Sequence, residues 1–168
     1  MHIDVDPTGA LPTTDRLIAV DLDAASIARA HPNIDHERQV AIYDLLEENR
    51  FAVNGRKDGP YRLLLGIVED RLSFAVSPAE KPGEPYTFVL SLTPFRRVVK
   101  DYILICDSYY QAIKTAPPSR IQAIDMGRRG LHDEGSRLLT ERLEGKITLD
   151  HDTSRRLFTL IVALHWKG

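Results

Sequence analysis

Residues 61–76, YRLLLGIVEDRLSFAV, consist of two apolar segments joined by a short connection at Glu69–Asp70. Two such segments on either side of so short a connection are typical of a β-hairpin. Two further strands are predicted nearby, at residues 16–23 (RLIAVDLD) and 86–92 (YTFVLSL). The sequence therefore predicts a sheet of about four strands.

One early helix is predicted over residues 33–50, with Asn33 or Asp35 as its N-cap. Acidic residues near its start support this interpretation, because they complement the positive end of a helix dipole. Its predicted apolar face consists of four residues at helical spacing: Val40, Ile42, Tyr43 and Leu46.

Three more helices are predicted in the C-terminal half. The first has Thr93 as its N-cap and ends before Pro117–Pro118, the second begins after Ser119, and the third begins after Asp152. A short edge strand at residues 146–150 precedes the last of them. Three glycines within nine residues of the second helix predict either a break or a very close helix–helix approach: Gly127, Gly130 and Gly135.

Most strands precede most helices in this order. Such segregation indicates the α+β class, with an antiparallel sheet of about four strands packed by one early helix and a three-helix C-terminal half. We expect residues 1–14 to form a flexible N-terminal tail and residues 15–168 to form a single α+β domain.

Composition and length set limits on the class of protein. A chain of 168 residues with 43% hydrophobic residues is large enough to build a core. One cysteine, Cys106, excludes an internal disulfide and fits a reducing compartment. The acidic N-terminus lacks the apolar region of a signal peptide, and the longest apolar run, residues 157–166, is too short to span a bilayer. We therefore expect a cytoplasmic protein without a membrane partner.

The charge is unevenly distributed along the chain. The net charge of −2 argues against a dedicated nucleic-acid-binding protein. Residues 1–92 carry a net charge of −6, whereas residues 93–168 carry +4. This asymmetry indicates either a binding surface or simple attraction between the two halves, and the sequence leaves both open.

Paired arginines follow two predicted helix starts, in TPFRR (93–97) and DTSRR (152–156). Positive charge at a helix N-terminus costs about 0.3–1 kcal/mol unless an anion lies nearby. Exposed backbone N–H groups and guanidinium groups together suit a phosphate or carboxylate. The alternative is that acidic residues of the N-terminal half, with Asp101 and Asp152, supply the anions. The four arginines concerned are Arg96, Arg97, Arg155 and Arg156.

A third arginine pair, Arg128 and Arg129, lies close to His132 and Glu134 in MGRRGLHDEGS (126–136). His132 is a candidate general acid or base, with Glu134 or Asp133 orienting its ring. The alternative is a glycine-rich packing site whose polar side chains face water or neighbouring elements.

Other reactive side chains receive structural interpretations. Cys106 lies on the apolar stripe of its predicted helix, where a lone cysteine is usually part of the core. His31 and His36 have a spacing that aligns poorly on a helix, so no metal site is predicted. No cofactor-binding motif is present either, and we predict no cofactor.

Five segments resemble members of a small bacterial family, uncharacterised protein family 0262. They are AIYDLLEEN (41–49), SLTPFRRVVKDY (91–102), ICDSYY (105–110), AIDMGRRGLHDEGS (123–136) and RRLFTL (155–160). The resemblance extends from about residue 16 to the C-terminus. It implies a cytosolic bacterial protein whose family has no assigned activity, and it supplies no catalytic residue.

The favoured hypothesis is a binding or regulatory module that recognises an anionic ligand, such as a phosphorylated metabolite, a nucleotide or an acidic peptide. One alternative is a small enzyme with His132 as its acid/base and arginines on an anionic substrate. Another is a structural protein-interaction module, for which a protein partner or a homo-oligomer is left open. The predicted ligand-binding residues are Arg96, Arg97, Arg128, Arg129, Arg155 and Arg156.

Overall fold

The computed structural model describes residues 14–23, 26, 32–81 and 83–165. Residues 1–13 of the predicted tail, His31 and Trp166 lie outside these ranges. Six strands and four helices occur in the described part of the chain. The strands are β1 (Leu17–Leu22), β2 (Phe51–Val53), β3 (Tyr61–Val68), β4 (Arg71–Pro78), β5 (Tyr86–Ser91) and β6 (Ile147–Leu149). The helices are α1 (Pro32–Glu47), α2 (Thr93–Thr115), α3 (Pro118–Leu143) and α4 (His151–His165).

The predicted hairpin is confirmed. β3 and β4 pair antiparallel, with Val68 opposite Arg71 at the closed end. The two residues between them, Glu69 and Asp70, have φ angles of 51° and 60°. Two-residue turns with positive φ at both positions match the right-handed twist of paired strands, which explains how so short a connection joins them.

The main sheet has the strand order β1-β3-β4-β5. β4 pairs antiparallel with both β3 and β5, but β1 runs parallel to β3, with Val20 opposite Leu63. The prediction of a wholly antiparallel sheet is therefore wrong at this edge. The parallel pairing follows from the route of the chain. Helix α1 lies between β1 and β3 in sequence, and a crossover connection of this kind joins parallel strands. The α+β class itself is confirmed.

A second, two-stranded sheet pairs β2 with β6 in antiparallel register, with Phe51 opposite Leu149. The predicted short edge strand near residues 146–150 is confirmed as β6. Its partner β2 was not predicted, because three residues are too few to show an alternating pattern.

Helix α1 presents a different face to the core from the one predicted. Ile34, Ala41 and Leu45 are buried, whereas Tyr43 is 66% exposed. Val40 and Leu46 are also exposed, so the predicted stripe is wrong for three of its four members. Packing against α4 decides which face of α1 is buried, because α4 covers the side of the helix opposite to the predicted stripe.

The N-terminal cap predicted for α2 is wrong. This helix begins at Thr93, and its N-cap residue is Leu92, which makes no side-chain cap hydrogen bond. The cap predicted for α3 is also wrong, because the N-cap is Pro117 and Ser119 already lies inside the helix. Prolines in the first turns replace side-chain capping here, since a proline has no N–H that needs a partner.

Helix α4 is capped by Asp150 and not by Asp152. The Oδ1 atom of Asp150 accepts a hydrogen bond of 3.0 Å from the backbone N–H of Thr153. The helix therefore begins at His151, and Arg155 is its fifth residue. Because the dipole effect is concentrated in the first turn, the arginine pair lies at a less unfavourable position than the sequence indicated.

Helix α3 is continuous through its glycines, so the alternative of a break is wrong. The alternative of close helix–helix approach is confirmed at two positions. A Cβ atom at Gly127 would lie 2.7 Å from Cδ1 of Ile105, and one at Gly135 would lie 2.3 Å from the ring of Phe158. Gly130 has open space around it.

The core lies between the inner face of the main sheet and the four helices. Tyr61, Phe74, Phe95 and Phe158 are among its largest fully buried side chains. Cys106 is buried in it as well, which confirms its interpretation as a core residue. In the part of the chain with assigned structure, no helix combines the length and the apolar character needed to cross a membrane.

Candidate functional site

A recess of about 340 Å³ opens where α2, α3 and α4 meet. We call it the basic recess, and its described lining residues are Tyr102, Arg128, Arg129, His132 and Arg155. Three of the six predicted ligand-binding arginines thus meet the candidate acid/base residue in one concavity. Two turns of α3 supply most of the lining, because residues three or four apart lie on the same face of a helix.

Arg128 is held on several sides. Its Nη2 atom lies 2.7 Å from Oδ1 of Asp125, and its Nη1 atom lies 3.4 Å from Oε1 of Glu37. The guanidinium also lies over the ring of Tyr109, 4.4 Å from the centroid, in a cation–π contact. The hydrogen bond from Arg128 lowers the pKa of Asp125, which therefore keeps its charge. These contacts fix the guanidinium before any ligand binds.

The other two arginines of the basic recess make simpler contacts. Arg129 Nε lies 3.0 Å from Oδ2 of Asp125, and the Arg129 side chain is 70% exposed. Arg155 Nη1 lies 3.2 Å from Oδ1 of Asp133, a carboxylate that also lies near His151. A guanidinium has five N–H donors, so each of these contacts leaves donors for a further partner.

His132 is held in its neutral form. Burial, followed by the charge of Arg155, lowers its pKa to about 4. Its Nε2 atom lies 2.8 Å from Oγ1 of Thr159, and that hydroxyl donates its single proton to the backbone oxygen of Arg155. When the hydroxyl donates in that direction, the Thr159 oxygen accepts from Nε2, which then carries the proton of the neutral ring. Nδ1 is buried and has no hydrogen-bond partner in the described structure.

The acidic neighbours proposed for His132 contact other residues instead. Glu134 pairs with Arg97 of α2, and Asp133 pairs with Arg155. Successive residues on a helix point in different directions, which explains why neither neighbour reaches the imidazole. The structure thus gives His132 a hydroxyl partner in place of a carboxylate.

Glu37 is a member of the site that the sequence did not single out. Its side chain is 13% exposed, and Oε1 and Oε2 each lie 3.4 Å from the hydroxyl of Tyr102. Burial raises the pKa of Glu37, although Arg128 opposes this effect. The signal that could have found it is spacing, because Glu37 follows Ile34 by three residues and precedes Ala41 by four, on the buried face of α1.

Cys106 is buried and lies against this carboxylate. Its Sγ atom lies 3.9 Å from Oε2 of Glu37. Burial, together with the negative charge of Glu37, raises the pKa of the thiol to about 12. A thiol that stays protonated at neutral pH is a poor nucleophile.

A larger cavity of about 480 Å³ adjoins the basic recess, since His132 and Arg155 line both. We call it the charged cleft. It lies mainly between α1 and α4, and its described lining residues are His36, Glu37, Val40, Ala41, Asp44, Tyr110, His132, Asp152, Arg155, Arg156 and Thr159. Arg156 donates a hydrogen bond of 2.8 Å to the backbone oxygen of Glu48 at its edge.

The arginines of TPFRR lie apart from both cavities. Arg97, whose side chain is 64% exposed, lies 3.1 Å from Asp101 and also pairs with Glu134. It lines a separate groove on α2 and α3. Arg96 lies 4.0 Å from Asp70 in the β3–β4 turn. The two predicted helix-start pairs are therefore not brought together.

The carboxylates nearest to the arginines come from both halves of the chain. Asp70 and Glu37 belong to the acidic N-terminal half, as the electrostatic alternative predicted. The other four described partners lie in the basic half itself: Asp101, Asp125, Asp133 and Glu134. Among the residues that the structure describes, no group of three or more His, Cys, Asp or Glu side chains could hold a metal ion.

Comparison with known proteins gives a consistent family assignment. The model of a family described as Uncharacterised protein family (UPF0262) matches residues 14–167. A UPF0262 protein of Methylobacterium radiotolerans is 63% identical over 155 residues, covering 92% of this chain and 95% of the relative. A relative from Rhodopseudomonas palustris is 59% identical over 157 residues, covering 93% and 95% of the two chains. One from a Bradyrhizobium species is 60% identical over 157 residues, covering 92% of each. No solved structure matches the chain. The protein therefore belongs to the bacterial family UPF0262.

Proposed function

We propose that this protein is a binding module that recognises a small anionic ligand, a phosphorylated or carboxylated metabolite, in the basic recess. The observation that carries the proposal is the convergence of Arg128, Arg129 and Arg155 on one recess of about 340 Å³. None of its described lining residues is a carboxylate. Guanidinium groups bind phosphate and carboxylate oxygens through paired, charge-assisted hydrogen bonds.

Pre-organisation supports binding at this position. Arg128 is already fixed by Asp125, Glu37 and the ring of Tyr109. A ligand that meets a fixed guanidinium does not have to immobilise a long side chain, so less binding free energy is lost to ordering. Arg129 makes fewer contacts by comparison, because most of its side chain is exposed and Asp125 is its one ion-pair partner among the described residues. We expect it to close over the anion.

The titration of nearby groups favours binding over catalysis. An efficient general acid or base has a pKa near the working pH. The pKa of His132 is lowered to about 4, and that of the Cys106 thiol is raised to about 12. Both groups are therefore neutral near pH 7. Although His132 and Arg155 share a recess, as a small enzyme would require, the imidazole is poorly suited to proton transfer there.

The proposal is tested by calorimetric titration and thermal shift with ethyl phosphate and inorganic phosphate. Saturation at 100 times the dissociation constant is expected to stabilise the protein by about 2.7 kcal/mol. We expect Arg129→Gln to weaken binding at least about tenfold, which corresponds to about 1.4 kcal/mol.

Arg97→Gln is the matched control for that variant. Arg97 and Arg129 are similarly exposed, and each pairs with an aspartate four residues away on its own helix. Both substitutions remove one positive charge, but only Arg129 lines the basic recess. Equal weakening by the two substitutions, or flat titrations with the unmodified chain, would rule out the proposed site.

A further inference from the structure

The charged cleft has walls of opposite sign. On α1, Glu37 and Asp44 are seven residues apart and therefore lie on one face of the helix, two turns from each other. On α4, Arg155 and Arg156 line the facing wall together with Asp152, so that the positive charges outnumber the single described carboxylate there. A cavity of about 480 Å³ separates the two sets of charges.

The charges do not neutralise each other across this cavity. Arg155 pairs with Asp133 outside the cleft, and Arg156 donates to the backbone oxygen of Glu48. In the described structure, no ion pair joins Asp44 on α1 to the α4 wall, and none joins Arg155 or Arg156 to the α1 wall. A cation at the acidic wall would therefore gain an electrostatic interaction that the protein alone leaves unmade.

The cleft and the basic recess are adjacent sites that share His132 and Arg155 in their linings. Between the charged groups of the α1 wall lies Val40, whose side chain is 44% exposed, and the ring of Tyr110 also lines the cleft. These apolar surfaces suit a short carbon skeleton that extends from one site into the other.

We propose that the ligand is a zwitterion whose anionic group binds the basic recess at Arg155 and whose ammonium group binds the acidic wall at Asp44. This inference rests on the proposed anion site and narrows its ligand to aminoalkyl phosphates or amino acids and their close relatives. The ammonium group supplies charge to the α1 wall, and the carbon chain covers Val40.

The test compares pairs of ligands that differ only in the amine. Aminoethyl, aminobutyl and aminohexyl phosphate are each titrated against the alkyl phosphate of the same length, so that no spacer length is assumed. In at least one pair we expect the amine to tighten binding by about tenfold, or about 1.4 kcal/mol. Asp44→Asn is expected to abolish this preference without weakening the binding of the alkyl phosphate, because the substitution removes a negative charge and no anion-binding group.

Glu47→Gln is the control, because it removes one negative charge from the exposed surface of the same helix and Glu47 is not among the cleft-lining residues. It is expected to keep the amine preference. Equal affinity within every pair, or a preference that survives Asp44→Asn, would overturn the zwitterion inference while the anion site stands. Absence of binding by all the phosphates would overturn both proposals.

Discussion

His132 in the middle of α3 and Thr159 on α4 are joined by a contact of 2.8 Å between Nε2 and Oγ1. Because burial and the charge of Arg155 disfavour the imidazolium form, this contact is made by a neutral ring. The same ring packs against Tyr102 and Phe158. Protonation of His132 would therefore place a positive charge among aromatic side chains and beside arginines.

This arrangement predicts a loss of stability in mild acid. The pKa of His132 is about 4 in the folded protein, below its ordinary value of 6.5. Below pH 6.5 the unfolded chain binds a proton that the folded chain does not, so the free energy of unfolding falls as the pH falls toward 4. Between about pH 7 and about pH 5 the expected loss is about 2 kcal/mol, measured by urea denaturation.

His132→Gln isolates this contribution, because glutamine does not titrate. Glu37 affects the free energy of unfolding in the opposite direction, since its raised pKa makes the folded protein bind protons more readily than the unfolded chain. This effect is present in both the unmodified protein and the variant, so it does not contribute to the difference between them. The variant is expected to lose about 2 kcal/mol less than the unmodified protein over the same pH interval. Parallel pH profiles would show that the imidazole does not titrate as we infer.

Two glycines of α3 predict opposite responses to alanine. Gly135→Ala places a Cβ atom 2.3 Å from the Phe158 ring, so we expect destabilisation by about 1–3 kcal/mol despite the better helix propensity of alanine. Gly130→Ala meets open space and is expected to stabilise the protein by about 0.5–1 kcal/mol. Thermal unfolding of the two variants gives the comparison. A stabilising Gly135→Ala would show that α3 and α4 are not in close contact there.

The cap of α4 gives a third prediction. Asp150→Ala removes the acceptor for the Thr153 N–H and is expected to cost about 1 kcal/mol. Asp152→Ala removes no cap hydrogen bond, and we expect a cost of at most about 0.5 kcal/mol. Urea denaturation of both variants distinguishes the two aspartates. A larger loss in Asp152→Ala would restore the assignment made from the sequence.

Adjacent leucines of α1 give a fourth prediction. Leu45 is fully buried, so Leu45→Ala is expected to destabilise the protein by about 2–5 kcal/mol through lost burial and the cavity left behind. Leu46 is 42% exposed, and Leu46→Ala is expected to cost less than about 1 kcal/mol. Chemical denaturation at one temperature measures both. Similar losses would mean that Leu46 is covered in solution, by a partner or by a second copy of the chain.

The sequence predicts those elements whose signal is local. The β3–β4 hairpin needs only two apolar segments and a short turn, and the end of α2 needs only Pro117 and its neighbour. The parallel pairing of β1 depends on how the chain crosses back through α1, and no pattern within β1 records it. The buried face of α1 is likewise decided by its contact with α4, and the helical spacing of apolar residues alone favoured the wrong side chains.

The residues of the candidate site likewise divide into those with a local sequence signal and those brought in by long-range packing. Arg128, Arg129 and His132 are close in sequence, so their grouping on one helix face could be predicted. That Arg155 would join them, and that Arg97 would not, depends on how α3 and α4 cross. Glu37 of α1 contacts Arg128, although the two residues are 91 positions apart in sequence. Contacts of this range follow from the packing of whole helices, which single-sequence periodicity does not specify.

The small β2–β6 sheet has a consequence for how the chain reaches its native state. Phe51 and Leu149 are direct partners although they are separated by almost one hundred positions. Closing a loop of that length costs about 4 kcal/mol of chain entropy, and three residue pairs offer little to offset it. We therefore expect this ribbon to form after the β3–β4 hairpin and the α2–α3 pair have already shortened the effective distance. Pairing of β2 with β6 is then a late step in folding. The rate at which these two strands pair will therefore report on the assembly of the elements between them in sequence.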